Sequence, residues 1–339
     1  MVRRSCTFAV AVLGAAILVG CGAEPASDAT QPAASIDPVG EVSDDVIAPD
    51  WCAQLPRAKY AELDRVDVDS DWFEVWEAGD GVLAIYEPKQ WQEVISYLVL
   101  GDERALLFDT GMGIAPISEV VARLTELPVT VVNSHSHLDH VGGNAEFESV
   151  VGMDTNFTRE RSGGLANERV RGEVAPDALC GPLPEGVTTD SYVTRPWTIT
   201  EVATDGHTID LGGRVLEILQ IPGHTPDAIA LLDAEAGYLW TGDSFYEGPI
   251  WLFAPETDLD AYEASMARLA DLVPDLTRLL PAHNTPVADP VRLIELRDAF
   301  AAVLNGTLEG TTSGSGAVEY DAGAFSILMA ADAAPATRP

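Results

Sequence analysis

The chain has 339 residues, and 54 Asp and Glu against 19 Lys and Arg give it a formal net charge of −35. A surface this acidic repels nucleic acid, which excludes nucleic-acid binding as the main function. The length that follows residue 50 suits one large domain. The charges are spread along the chain, so they indicate a solvated exterior and say little about a pocket.

The N-terminus has the pattern of an export signal. Arg3 and Arg4 supply positive charge, and residues 7–20 form an apolar run that is too short to span a bilayer. The run ends in LVGC at Cys21, which resembles the bacterial lipobox. We therefore expect a signal peptide over residues 1–20, acylation of Cys21 and a lipid anchor in the membrane of the cell envelope, at its periplasmic or outer face. The alternative is an ordinary secretory signal with a chance Cys.

A tether and two further cysteines follow. Residues 21–50 contain no aromatic residue and are rich in Ala, Pro, Ser and Asp, a composition that predicts a flexible tether before a catalytic domain at 51–339. Cys52 and Cys180 are the cysteines that remain once Cys6 leaves with the signal. Export favours a disulfide between Cys52 and Cys180, and two separate buried thiols are the alternative.

From residue 72 the pattern predicts four strands, a helix and a strand before the first His-rich segment. The strand pairs lie at 72–88 and 93–111, the helix at 116–127 and the fifth strand at 129–134. We expect residues 150–200, which are rich in Gly and Pro, to be an irregular insertion over one end of the sheet.

The second half repeats the alternation of strands and helices. Predicted strands lie at 207–223, 227–233, 237–243 and 276–284, helices at 258–273 and 290–306, and a last edge strand at 324–331. This order predicts an α/β protein with two mixed β-sheets packed face to face and helices outside.

Four potential metal ligands lie within six residues. His135, His137, Asp139 and His140 directly follow the predicted strand at 129–134. Imidazole and carboxylate groups suit zinc and similar divalent metals. A polar surface loop is the alternative, but a chance run of this composition is improbable. The sequence therefore predicts a metal site.

H-x-H-x-D-H followed by Gly-Gly resembles the signature of the metallo-β-lactamase superfamily. Shorter matches to the family lie before this segment at 108–111 and after it, in order, at 221–225, 241–243 and 281–283, and the resemblance covers about residues 72–305. It implies the αββα sandwich of that family. It also implies seven ligands for two metal ions: His135, His137 and His224 for the first, Asp139, His140 and His283 for the second, and Asp243 bridging both.

The resemblance implies two Zn²⁺ ions, with iron or manganese possible, and a bridging hydroxide that attacks a carbonyl carbon. Asp139 would also orient the hydroxide, Asp109 would hold a ligand imidazole, and Tyr246 would touch the oxyanion or leaving group. The expected function is hydrolysis of a carboxylic ester, lactone or thioester in a small acyl substrate. Alternatives are an iron-dependent oxidoreductase, a β-lactam hydrolase and a non-catalytic metal-binding lipoprotein. Asp243 stands where true β-lactamases usually carry Cys or Ser, which argues against that substrate.

Overall fold

The computed structural model describes residues 49–313 and 317–333. The predicted signal peptide, Cys21 and most of the tether lie outside these residues. In the described part of the chain, no helix has both the length and the apolar character needed to cross a bilayer.

Seventeen strands lie in the described residues. They are β1 Arg65–Val66, β2 Glu74–Gly79, β3 Val82–Tyr86, β4 Ile95–Leu100, β5 Ala105–Phe108, β6 Val129–Val132, β7 Val150–Met153, β8 Glu201–Ala203, β9 Thr208–Asp210, β10 Val215–Gln220, β11 Ile229–Asp233, β12 Tyr238–Gly242, β13 Pro249–Leu252, β14 Arg278–Pro281, β15 Thr311–Thr312, β16 Ala317–Asp321 and β17 Ser326–Ala330.

The described helices surround these strands. The α-helices are α1 Ile117–Leu124, α2 Leu138–Val141, α3 Asn156–Arg161, α4 Asn167–Val170, α5 Leu259–Asp271 and α6 Val291–Leu304. Short 3-10 helices lie at Asp50–Gln54, Ala58–Glu62, Asn144–Glu146, Arg171–Val174, Pro176–Ala178 and Val273–Asp275. Asp258 caps α5 by accepting a hydrogen bond from the Ala261 backbone, as its position before the apolar pattern predicts.

Three sheets organise the chain. The first has eight strands in the order β1 to β8, the second has the order β14-β12-β11-β10-β9, and the third has the order β13-β17-β16-β15. The prediction of two packed mixed sheets with outer helices is confirmed. The third sheet was not predicted. The strand predicted at 324–331 is present as β17, but its predicted place at an edge is wrong because β17 lies between β13 and β16.

Alternation along β4 shows how the layers form. Ile95, Tyr97 and Val99 point into the core between the two large sheets, whereas Leu98 points to the opposite core, which α1 covers. Successive side chains on a strand face opposite sides, so a strand that is apolar on both faces is buried on both. A third core lies between the second sheet, the third sheet and helices α5 and α6. These layers give the αββα sandwich.

The segment predicted as an irregular insertion begins with a regular strand. β7 pairs in parallel with β6 and β8, and the following residues form short helices and turns. Within this segment Cys180 forms a disulfide with Cys52, with Cα atoms 5.6 Å apart. The bond joins the start of the described domain to the insertion, in the pairing that export favoured.

Candidate metal centre

The candidate ligands gather where strands end. The His-rich segment follows β6, and His224, Asp243 and His283 follow β10, β12 and β14 respectively. β10 and β12 each pair antiparallel with β11, and β12 pairs parallel with β14, so these strands run in one direction. Their carboxyl ends therefore meet at one edge, where open α/β sheets commonly bind ligands.

Three imidazoles form the first half of the centre. His135 Nε2 lies 2.9 Å from His137 Nδ1, and His224 Nε2 lies 3.1 Å from the same atom. The three nitrogens point at one place, which is the arrangement that three ligands of one ion adopt.

Two imidazoles and two carboxylates form the second half. His140 Nε2 lies 3.1 Å from Asp139 Oδ2, and His283 Nε2 lies 3.5 Å from the same oxygen. Asp243 Oδ1 is 3.2 Å from His140 Nε2 and 3.0 Å from His283 Nε2. Asp243 Oδ2 faces the other half, 3.6 Å from His224 Nε2. Asp243 therefore lies between the halves with one oxygen toward each.

The outer nitrogen of each of the five imidazoles faces an acceptor. Such contacts fix which nitrogen carries the proton. The acceptors are Ser134 Oγ at 3.0 Å for His135, Glu256 Oε1 at 2.8 Å for His137, the Trp251 carbonyl at 2.9 Å for His224, Asp109 Oδ2 at 2.9 Å for His140, and the Gln92 carbonyl at 2.6 Å for His283.

In the first half, this proton placement leaves lone pairs on the nitrogens that converge. His135 Nε2 and His224 Nε2 each lie about a hydrogen-bond length from His137 Nδ1, with no proton between them. In the second half, His140 Nε2 and Asp243 Oδ1 are buried without a hydrogen-bond partner among the described residues. Such groups are costly unless something satisfies them, and a cation in each half does so. The residues therefore fit two metal ions.

Asp109 contacts a ligand imidazole of the second half and the loop that precedes it. Its oxygens accept hydrogen bonds from the Ser134 backbone at 2.7 Å, from Ser134 Oγ at 2.8 Å and from His140 Nδ1 at 2.9 Å. Its φ of 65° is a left-handed conformation that costs on the order of 1 kcal/mol for a non-glycine residue. The adjoining loops pack so closely that a Cβ on Gly142 would lie 2.2 Å from the Met112 backbone. Glycine is therefore required at 142.

Burial sets the protonation of the first half. It lowers the pKa of His224 to about 4 and also lowers the pKa of His135. Both rings are therefore neutral at neutral pH, which is the form that binds a metal.

The second half attracts positive charge. Burial by itself would lower the pKa of His140 and His283, but nearby carboxylates outweigh it and raise both. Asp139 contributes most at His140, and Asp243 contributes most at His283. A metal cation benefits from the same carboxylates.

Several contacts around the centre were not foreseen. Glu256 lies 119 residues from His137, and no spacing rule connects them. The hydrogen bond from His137 lowers the pKa of Glu256 to about 2. The backbone acceptors Gln92 and Trp251 are equally invisible in a sequence, because any residue has a carbonyl.

Tyr246 lies beside the centre. Its ring packs against His283 with centroids 5.0 Å apart, and its hydroxyl donates a hydrogen bond to the Pro249 carbonyl. Contact of this hydroxyl with an oxyanion or leaving group stays a prediction. His207, the remaining histidine, lies outside the centre and pairs with Glu201 at 3.3 Å.

The family model described as Metallo-beta-lactamase superfamily matches residues 91–306, a span that contains all seven candidate ligands. The chain belongs to the metallo-β-lactamase superfamily. Members typically bind a dinuclear metal centre, in keeping with the two groups of His and Asp found here.

Curated relatives in this superfamily include hydrolases. Acyl-coenzyme A thioesterase MBLAC2 of Gallus gallus is 28% identical over 242 residues, covering 63% of this chain and 81% of that protein. Hydroxyacylglutathione hydrolase of Synechococcus sp. is 29% identical, covering 50% of this chain and 54% of that protein. The structure of the sec-alkylsulfatase Pisa1 from Pseudomonas sp. is similar with a TM-score of 0.53 and 17% identity, covering 68% of this chain and 42% of that chain. That similarity shows the fold alone.

Proposed function

We propose that this superfamily member is a hydrolase that cleaves a carboxylic ester, lactone or thioester at two zinc ions. The observation that carries the proposal is Asp243, which turns one carboxylate oxygen to each half of the centre. A site for a single structural ion has no use for a carboxylate shared in this way. The donors are imidazole nitrogen and carboxylate oxygen, which suit zinc, while iron and manganese accept the same set.

When bound, two divalent cations lower the pKa of a water molecule and polarise a carbonyl. The chain's own residues then have defined tasks. The Asp139 carboxylate orients the attacking water and accepts its hydrogen bond, and Asp109 keeps His140 in the tautomer that leaves Nε2 free. Among the three bonds, the relatives favour the thioester, since one of them is a thioesterase and another acts on an acylglutathione by name.

A panel of one butyryl ester, one butyryl thioester, a lactone and a β-lactam tests the reaction class. The purified protein should hydrolyse an acyl ester or thioester, lose that activity to a chelator and regain it with zinc. His137→Ala should abolish turnover, and His207→Ala, outside the centre, should leave it unchanged. Zinc-saturated protein that is inactive on the whole panel would contradict the proposal, as would full activity in His137→Ala.

We also propose that the enzyme is exported and anchored to the cell envelope by lipid on Cys21. The Cys52–Cys180 disulfide supports export, because disulfides persist in oxidising compartments. Cys21→Ser should shift the protein out of the membrane fraction or leave its signal uncleaved. Unchanged fractionation and mass in this variant would count against the anchor.

A further inference from the structure

We propose that Arg161 binds a negatively charged group of the substrate and so selects acyl compounds that carry a carboxylate or a similar anion. The guanidinium forms a long ion pair with Glu256 beside the open side of the metal centre, and its Nε has no hydrogen-bond partner among the described residues. This inference rests on the proposed function, since it assigns a substrate class to the same site.

The open side of the centre is at His137. Its side chain keeps 22% of its surface exposed, whereas those of the other six ligands keep 9% or less. A substrate therefore approaches past His137. Phe157 and Glu256 flank this residue: the Phe157 ring centroid lies 5.6 Å from that of His137, and Glu256 accepts the His137 hydrogen bond.

Arg161 completes this group at the end of α3. Its guanidinium carbon lies 4.8 Å from the centroid of the Phe157 ring. Its Nη2 is 3.7 Å from Glu256 Oε1, which is too long for a hydrogen bond. Its Nε is buried and has no hydrogen-bond partner in the described part of the chain.

The surroundings of the Arg161 guanidinium suit the binding of an anion. The contact with the Phe157 ring does not use the N–H groups of Arg161, and those five donors form a fork that matches a carboxylate. The Arg161 side chain keeps 19% of its surface exposed, and an anion that accepts from its guanidinium N–H groups there gains a charge-assisted contact. In a chain of net charge −35, an anionic substrate needs such a local cation.

An aromatic cluster beside the centre suits the uncharged remainder of the substrate. Trp251 is 39% exposed, its carbonyl accepts from His224, and its ring packs 5.6 Å from Trp91 and 5.1 Å from Phe253. Exposed aromatic surface next to a catalytic centre favours apolar groups. The expected substrate thus combines an apolar part with one anion.

The test compares two pairs of thioesters that differ by a terminal methyl or carboxylate. One pair varies the leaving thiol, propanethiol against 3-mercaptopropionate, both with a butyryl group. The other varies the acyl group, valeryl against glutaryl, both with propanethiol.

Arg161→Gln should raise KM and lower kcat/KM about 10- to 100-fold for a carboxylate member and leave its neutral partner unchanged. Arg161→Lys should keep part of the preference. Arg159→Gln, a loss of an exposed Arg on the same helix, is the matched control and should change neither.

Metal content and binding separate this role from a structural one. If Arg161 only supports Glu256 and His137, its replacement should lower kcat/KM equally for both members of each pair and reduce the bound metal. That result would overturn the inference. Titration calorimetry with the corresponding non-hydrolysable amides is independent of turnover. If the enzyme cleaves no ester, lactone or thioester, the proposed function fails, yet loss of carboxylate-amide binding in Arg161→Gln still supports the anion site. Equal binding of charged and neutral amides by the unaltered protein overturns it.

Discussion

The two halves of the metal centre differ in how they are enclosed. In the first half, His137 is partly exposed, and its outer nitrogen faces Glu256 on a loop. In the second half, His140 and its partner Asp109 are both fully buried. The second half is thus fully enclosed, whereas the first half is open at His137, where Glu256 completes it.

This difference assigns metal binding mainly to the second half and substrate contact mainly to the first. The second half has the carboxylates that attract a cation, together with a buried framework that leaves its ligands little freedom. The first half is where Arg161, Phe157 and Glu256 lie. Changes in the enclosed half should therefore act on metal affinity and folding, and changes at the open half should act on substrate selection.

The largest effect is expected at Asp243, which belongs to both halves. Asp243→Asn removes the charge that the two sites share and should lower kcat by about 10³-fold or more, with loss of one ion, because ligand loss removes several kcal/mol of transition-state stabilisation. Asp233→Asn, at an equally buried carboxylate outside the centre, should retain activity. Asp243→Asn protein with two ions and normal turnover would show that the halves work independently.

Removing the disulfide should weaken the enclosed half more than the open one. The bond closes a separation of 128 residues, for which chain entropy gives roughly 4–5 kcal/mol before any strain. The Cys180 backbone donates to the Lys89 carbonyl, close to Gln92, whose carbonyl accepts from His283. Cys52→Ala combined with Cys180→Ala should lower the free energy of unfolding in urea and loosen the second ion. Unchanged stability would refute this coupling.

The buried carboxyl group of Glu87 should make the stability of the fold depend on pH. Burial raises the pKa of Glu87 from 4.5 to about 7, and Glu87 accepts hydrogen bonds from Trp72 Nε1 and the Met112 backbone. The folded chain therefore binds the proton of the Glu87 carboxyl group more tightly than the unfolded chain does. The contribution of this protonated group to the free energy of unfolding is complete below about pH 4.5. It is lost as pH rises through about 7, a change of roughly 3 kcal/mol.

Glu87→Gln tests whether this contribution to stability falls as pH rises. The difference in unfolding free energy between the unaltered protein and Glu87→Gln should fall as pH rises from 4.5 to 7.5, with both proteins saturated with metal. The exposed control Glu77→Gln should show no such trend. A difference that stays constant or grows with pH would mean that Glu87 is ionised in the folded protein.

The smallest effects are expected on metal binding, from replacing the carboxylates that accept hydrogen bonds from the ligand imidazoles. One such carboxylate lies in each half, so the two variants compare the halves directly. Asp109→Asn should weaken binding of the second ion about 100-fold, because a buried partner of both His140 and Ser134 loses its charge. Glu256→Gln should weaken binding of the first ion only about 10-fold, since His137 is more exposed and water can replace the acceptor. Competition with a chromophoric chelator measures both, and equal losses would remove the distinction between the halves.

Much of this centre could be predicted from the sequence, because the ligands lie in short local motifs. His135, His137, Asp139 and His140 occupy one segment, and Asp243 follows directly after β12. The αββα layers were predictable for a similar reason, since long strands such as β4 have unmistakable apolar patterns.

What the sequence did not reveal depends on long-range contacts or short elements. Glu256 lies on a loop and Arg161 at the end of α3, and their proximity exists only in the fold. β7 and β13 have four residues each, too few for a period to stand out. The Tyr246 hydroxyl was assigned by resemblance, and a backbone carbonyl three residues away accepts its hydrogen bond.

Metal stoichiometry is the most direct test of the proposed function, because the catalytic roles assigned to the centre assume two ions shared through Asp243. Elemental analysis of protein purified without chelator, and again after saturation with zinc, should give two ions per chain. In Asp243→Asn the number should fall to one. A stoichiometry of one that added zinc does not raise would contradict the two-ion centre.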